Sequence, residues 1–222
     1  MNIKPIIVVA GEPYSIFLEI FFKSKIQIKL KKPIILIASE KLVSLQMKKL
    51  GFDYKINLLN EKKLKFNSLD KTKINLINVD FVFNKIFDQI SSKSNSYIDK
   101  SFNMALKILK EKKCSGLING PISKKHFLRG KSLGITEYLA KKTKNNNNVA
   151  MLIFNKKLSV SPITTHLALK DVNKHVSEEK IYIHIKLISE FYKKKFKRKP
   201  KIAITGLNPH CESNFKNCEE DA

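Results

Sequence analysis

Three segments place chemically able side chains directly after apolar runs. Asn119-Gly-Pro-Ile-Ser-Lys124 follows the run that starts at Gly116. A Gly-Pro turn leading into Ser123 and Lys124 can offer backbone N–H groups and an ammonium to an anion. The same residues also read as an ordinary strand-to-helix turn. Thr164-Thr-His166 follows Leu158–Ile163, and Asn208-Pro-His210 follows Ile202–Thr205. Neutral imidazoles at two adjacent strand ends could bind a divalent metal. Either histidine alone reads equally as a hydrogen-bonded structural residue. Glu12, in Ala10-Gly-Glu-Pro13, is a site-facing carboxylate or a turn residue. Cys211 adjoins His210, but no C-x-x-C spacing supports a zinc pair. His126, His175 and His184 fall in helical or near-helical stretches, and His184, beside Lys186, reads as solvated. The chain holds neither a G-x-G-x-x-G nor a P-loop, so an ordinary Rossmann dinucleotide site is not signalled.

These residues need a frame, and the apolar runs predict one. Ile6–Ala10 and Ile34–Ala38 are continuous apolar runs, the pattern of strands covered on both faces. Tyr54–Leu59, Ile74–Val79 and the segment from Gly116 add further strands, with a polar surface excursion over 60–73. Helices are predicted over 14–23, from Ser39 as N-cap to Gly51, over Ser96–Lys110, over Gly134–Lys142, and from Ser177 onward. The stripes Ile98/Phe102/Ala105/Leu109 and Ile181/Ile185/Ile188/Tyr192 mark the buried faces of two of them. Asn145–Asn148 reads as a loop. Val149–Phe154 and Leu158–Ile163 are expected to form a hairpin, and Ile202–Thr205 a last strand. Strand–helix alternation defines an α/β protein: mostly parallel sheets with helices on both faces, and ligands beyond the carboxyl ends of the strands. The expected division is a first α/β lobe over 1–120 and a second, incomplete lobe over 121–222.

Composition narrows the class. The chain has 222 residues, 43% of them apolar, which excludes a disordered chain, and three cysteines, which excludes a disulfide scaffold. Those cysteines are expected as free thiols in a reducing cytoplasm. No apolar run reaches the roughly 18–20 residues of a membrane helix. The first run stops at Gly11 and Pro13, too soon for a signal-peptide core. The charge is 43 Lys+Arg against 19 Asp+Glu, net +24. Arg129 and Arg198 are the two arginines, and the lysines run along the whole chain. Base reading and phosphate clamping favour Arg, so this is a solvated Lys surface rather than a nucleic-acid face, although it would steer phosphorylated metabolites. A basic nucleic-acid-binding module is the alternative from another class.

Five ordered segments carry a resemblance: Ala10-Gly-Glu-Pro13, Ile118-Asn-Gly-Pro-Ile-Ser-Lys124, Gly134-Ile-Thr-Glu137, Thr164-Thr-His-Leu-Ala-Leu-Lys-Asp-Val172 and Gly206-Leu-Asn-Pro-His-Cys-Glu212. Together they resemble the 4-hydroxythreonine-4-phosphate dehydrogenases of pyridoxal phosphate (vitamin B6) biosynthesis. The resemblance implies a two-lobed fold like that of isocitrate and isopropylmalate dehydrogenases, and a cytoplasmic homodimer with its site at the subunit interface. It implies oxidation of 4-phosphohydroxy-L-threonine with NAD or NADP, then decarboxylation to 3-amino-2-oxopropyl phosphate. A divalent metal (Zn, Mg or Co) would act as Lewis acid, with His166 and His210 matching two of three histidine ligands. Thr136 matches a substrate-binding threonine, and Lys124 is expected as an anion contact.

The departures are specific. Ile135 stands where the family has a substrate-binding histidine, and Ile cannot hydrogen-bond a polar substrate. The stretch between Gly120 and Gly134 is shorter than usual, and Tyr14-Ser-Ile-Phe17 replaces a glycine-rich turn. By the resemblance, the family's C-terminal third, with the third metal histidine and much of the cofactor wall, is not among these 222 residues, so the expectation is either a fragment or a truncated relative. A related dehydrogenase acting on another phosphorylated hydroxy acid, or an inactive truncated remnant, are therefore the alternative expectations.

Overall fold

The structure is a computed structural model and describes residues 4–27, 32–64, 69–130, 132–145 and 148–207. The chain divides into two compact units, Met1–Ser132 and Leu133–Ala222.

The first unit is built on a five-stranded parallel sheet. Its strands are β1 (Ile6–Val9), β2 (Ile34–Ala38), β3 (Ile56–Leu58), β4 (Ile74–Asn78) and β5 (Gly116–Asn119), in the order β3-β4-β2-β1-β5. The helices are α1 (Phe17–Gln27), α2 (Glu40–Lys49) and α3 (Asn95–Lys110). Register sets the two faces. Val8 pairs with Leu36 and Leu36 with Leu76, so these three share a face, where they pack with Leu18 and Phe22 of α1 and Val43 and Met47 of α2. α3 packs on β1, β2 and β5. Strand parity turns Ile7, Val9, Ile35 and Ile37 to the opposite face, and all four are buried. That double cover is why β1 and β2 read as unbroken apolar runs.

Helix starts follow local chemistry. Ser39 caps α2 by accepting the Leu42 N–H, and Gly51 ends it in the left-handed region. α1 starts at Phe17 rather than Tyr14. Ser15 N–H donates to the Glu12 carbonyl at 3.1 Å, and Phe17 N–H reaches Ser15 Oγ at 3.3 Å, so residues 12–15 form a turn first. In α3 the buried stripe ends on Ile108, with Leu109 half-buried. The chain holds seven glycines, and α3, α4 (Ile135–Lys142) and α5 (Glu178–Phe196) end on Lys112, Lys144 and Lys197 at positive φ where glycine is usual.

β1 and β5 stay in close contact past their ends. Gly120 N–H donates to the Val9 carbonyl at 2.7 Å and Glu12 N–H to the Pro121 carbonyl at 2.8 Å. A Cβ on Gly120 would lie 2.1 Å from the Ala10 oxygen, and one on Gly11 2.3 Å from the Pro121 oxygen. The segment after β5 stays with the first unit: Phe127 stacks on Phe102, Asn95 Nδ2 donates to the His126 carbonyl and Leu128 is buried. The compact units therefore part at Ser132/Leu133, downstream of the 120/121 boundary expected from sequence.

The second unit holds α4 and α5. Ser177 caps α5 by accepting the Lys180 N–H, with Glu178 and Glu179 in the first turn. The expected hairpin over 149–163 is reduced to one antiparallel bridge, Ile153 to Val160. The expected strand Ile202–Thr205 forms no ladder among the described residues. Both apolar runs lack ladder partners among the described residues, and Leu158, Val160 and Ile204 are exposed. An apolar run becomes a strand only where another strand takes its backbone hydrogen bonds.

The glycine contacts make a paired test. Gly120→Ala is expected to cost about 1–3 kcal/mol, because its Cβ meets backbone. Gly116→Ala, with nothing within 4 Å of its Cβ, is expected to be neutral or slightly stabilising. Urea unfolding of the two variants checks this, and equal midpoints would contradict it.

Candidate functional site

In the second unit the Gly134–Glu137 turn and the Thr164–His166 segment come together. Gly134 is the N-cap of α4, is buried and brings no capping side chain. The first-turn amides of a helix so capped present partial positive charge to an anion. Thr136, the second residue of α4, is half-buried, as is Ile135 before it. Glu137 Oε1 accepts the Thr165 hydroxyl at 3.0 Å. Glu137 Oε2 is buried with no hydrogen-bond partner among the described residues. His166 is exposed and sits at φ +58°, a left-handed conformation that His tolerates better than most residues. No strand precedes it, so the expected strand-end placement is replaced by a bend. Its Nε2 and Cδ2 lie 3.5 Å from the point a Cβ on Gly134 would occupy, and Glu137 Oε2 lies 3.0 Å from that point.

His166 therefore offers an accessible imidazole beside an unsatisfied carboxylate oxygen. An imidazole nitrogen suits a divalent zinc-like cation, so His166 fits a ligand position of the group the resemblance implies. Among the described residues no cluster of three His, Cys, Asp or Glu forms. His210, like Cys211 and Cys218, lies outside the described residues.

Lys124 belongs to the first unit. It opens a single π-helical turn, Lys124–Leu128, which Ser123 caps by accepting the His126 N–H at 3.2 Å. Lys124 is an exposed residue. Close by in chain terms, the switch point between β1 and β5 is the usual ligand crevice of such a sheet. Here the backbones of Gly11, Gly120 and Pro121 lie in close contact. Glu12 is buried behind that seam, at 2% exposure. Its Oε2 lies 2.9 Å from Ser94 Oγ, and its Oε1 is buried without a partner among the described residues. Burial pushes its pKa up, against the lowering effect of hydrogen bonds from Ser94 and the Tyr14 N–H. Tyr97 nearby, whose hydroxyl accepts the Ser39 N–H at 3.2 Å, is pushed up to about 12, chiefly by burial. Glu12 thus serves the interior of the turn.

Three further sequence expectations meet the structure. His184 is buried, not solvated: it lies three residues past Ile181, on the apolar stripe of α5, and Ser161 Oγ lies 3.4 Å from its Nδ1. Burial, followed by Lys180, lowers its pKa. His175 is exposed, its Nδ1 2.8 Å from the Asp171 carbonyl. Cys114 is a buried free thiol whose pKa burial raises to about 11, an unreactive setting. Glu137 was missed as a site residue, although Gly134-Ile-Thr-Glu137 has capping-box spacing and could have flagged it.

The first unit, a parallel sheet with helices on both faces, defines a doubly wound α/β protein. The chain belongs to the family of the pyridoxal phosphate biosynthetic protein PdxA, whose family model matches residues 29–222. It is 36% identical over 212 residues to the 4-hydroxythreonine-4-phosphate dehydrogenase of Sulfurihydrogenibium sp. strain YO3AOP1, covering 92% of this chain and 63% of that protein. A relative from Oceanobacillus iheyensis, whose name gives D-threonate 4-phosphate as substrate, is 28% identical over 232 residues, covering 100% of this chain and 68% of that protein. The crystal structure of a 4-hydroxythreonine-4-phosphate dehydrogenase from Burkholderia phymatum shares the fold. Its TM-score is 0.77 at 20% identity, covering 94% of this chain and 64% of that one. The chain thus spans less than two thirds of the length of the first relative. Among the described residues no helix is long and apolar enough to cross a membrane.

The buried Glu12 carboxyl sets a pH test. Its folded pKa lies above the unfolded value, so its contribution is fully present below about 4.5 and is lost as pH rises through the folded value. Relative to wild type, Glu12→Gln is expected to gain stability as pH is raised from 4 to 7. Thermal midpoints across that range check it, and a difference constant with pH would show that the carboxyl titrates alike folded and unfolded.

Proposed function

We propose that this chain carries substrate- and metal-binding residues of an NAD- or NADP-dependent 4-hydroxythreonine-4-phosphate dehydrogenase. The reaction is oxidation of the C3 hydroxyl of 4-phosphohydroxy-L-threonine, followed by loss of carbon dioxide to give 3-amino-2-oxopropyl phosphate. The observation that supports this reading is the meeting of His166 with the first turn of α4 within one compact unit.

The roles follow from chemistry. The α4 N-terminus holds an anionic substrate group through its first-turn amides, without a competing cap. Thr136 brings a hydroxyl that can donate to or accept from the substrate. Lys124, in the first unit, is kept as an anion contact on the strength of its ammonium alone. His166, with His210, supplies imidazole nitrogen to a divalent cation, and that cation, when bound, supplies Lewis-acid stabilisation of charge on the reacting oxygen. A homodimer with its site at the subunit interface, in the cytoplasm, completes the reading.

A second substrate is favoured by one residue. Ile135 removes a polar contact at the second position of the Gly134–Glu137 turn, and the Oceanobacillus relative carries a different substrate in its name. D-threonate 4-phosphate has a C2 hydroxyl in place of the amino group, so it asks for a different set of polar contacts around that carbon.

His166→Ala is expected to lower metal-dependent NADH formation by at least about 100-fold. Unchanged turnover would overturn the assignment. Comparing kcat/KM on 4-phosphohydroxy-L-threonine and D-threonate 4-phosphate separates the two substrates, and preference for the second would transfer the reading to it.

A further inference from the structure

Glu137 is the third residue of α4, and its two carboxylate oxygens have different surroundings. Oε1 accepts the Thr165 hydroxyl at 3.0 Å. Oε2 is buried and accepts nothing among the described residues. A glutamate three residues after an N-cap ordinarily takes the N-cap N–H and closes a capping box. Oε2 does not. It lies 3.0 Å from the position of an absent Gly134 Cβ, and the Nε2–Cδ2 edge of His166 lies 3.5 Å from that same point. Gly134 has φ −157°, which any residue adopts, so its lack of a side chain serves space rather than conformation. Carboxylate and imidazole edge border one opening. Thr165 and His166 are consecutive, so the carboxylate that holds the threonine also fixes the backbone from which the imidazole projects. That backbone is itself in the left-handed region at His166, a conformation that persists only where its surroundings hold it.

We propose that Glu137 is the positioning residue for His166. Its Oε2 takes the Nε2–H of the imidazole when the ring carries a divalent cation on Nδ1, as outer carboxylates do for metal-bound histidines. The inference rests on the cation role proposed above for His166. A buried carboxylate oxygen left without a donor is costly, and the hydrogen bond removes that cost on loading.

The test is cobalt(II) titration of the full chain, followed by its visible absorption, with thermal unfolding of the cation-free protein alongside. Glu137→Gln keeps an acceptor for Thr165 and loses the charge. It is expected to weaken cobalt affinity about 10–100-fold while leaving the cation-free midpoint in place. Glu137→Asp should restore part of the affinity. Thr165→Val, which releases Oε1 without altering charge, should weaken binding several-fold and serves if the glutamine variant does not fold. In the zinc-loaded chain, ring 15N shifts of His166 should place the proton on Nε2 and the metal on Nδ1. Wild-type affinity in both Glu137→Gln and Thr165→Val, or the opposite nitrogen assignment, overturns the positioning role. Cobalt binding that survives His166→Ala, or that the wild-type chain lacks, overturns the cation reading on which it stands.

Discussion

The carboxyl edge of the first unit depends on the backbone seam between the end of β1 and the turn after β5. Two glycines allow carbonyls to approach where any side chain would collide. From that seam the neighbouring geometry follows. The turn at 12–15 delays α1, Glu12 is driven inward to meet Ser94 at the start of α3, and the chain after β5 is tied to the first unit through Phe127 and Leu128. The same seam lies at the point between β1 and β5 where sheets of this topology usually receive a ligand. Buried polar groups at the edge, Glu12, Tyr97 and Gln46, hold backbone and side-chain partners: Tyr97 takes the Ser39 N–H, Gln46 donates to the Pro13 carbonyl and Glu12 takes the Ser94 hydroxyl.

The second unit works by a different principle. Its site residues sit on a helix start and an irregular segment rather than on strand ends, and their placement comes from individual contacts: Thr165 on Glu137, and the empty volume of Gly134. Loops positioned by a scaffold carry chemistry readily, because their backbone is free to adopt conformations such as the left-handed one at His166.

What could be read from residue order alone divides along physical lines. Strands β1 and β2 were legible because burial on both faces leaves an uninterrupted apolar run, and the caps at Ser39 and Ser177 because their hydroxyls satisfy specific N–H groups. The strands expected at 149–163 and 202–205 were not realised, since an apolar run carries no information about whether a partner strand exists. His184 was misjudged from its charged neighbour Lys186, although the spacing from Ile181 already placed it on the apolar face. Within the site, His166 was marked by its place after an apolar run and again by a resemblance, and Thr136 by the resemblance alone, whereas Glu137 emerged only from atoms in space. Its orphan oxygen is a property of packing, which spacing suggests but cannot display.

The helix ends described above bear on how far this sequence can wander without losing its shape. At Lys112, Lys144 and Lys197 a side chain accepts the left-handed backbone, a strain of roughly 1–2 kcal/mol. The ammonium beside the negative end of each helix offsets part of it, by roughly 0.3–1 kcal/mol at low ionic strength. A general tilt in composition toward lysine can be absorbed at such places, because the cost is conformational and partly compensated. At Gly11 and Gly120 the obstacle is a carbonyl oxygen within 2.3 Å, and no compensating charge relieves a collision. The tolerance of this fold to compositional drift is thus bounded by contact distance between backbones, and the scarcity of glycine maps that boundary.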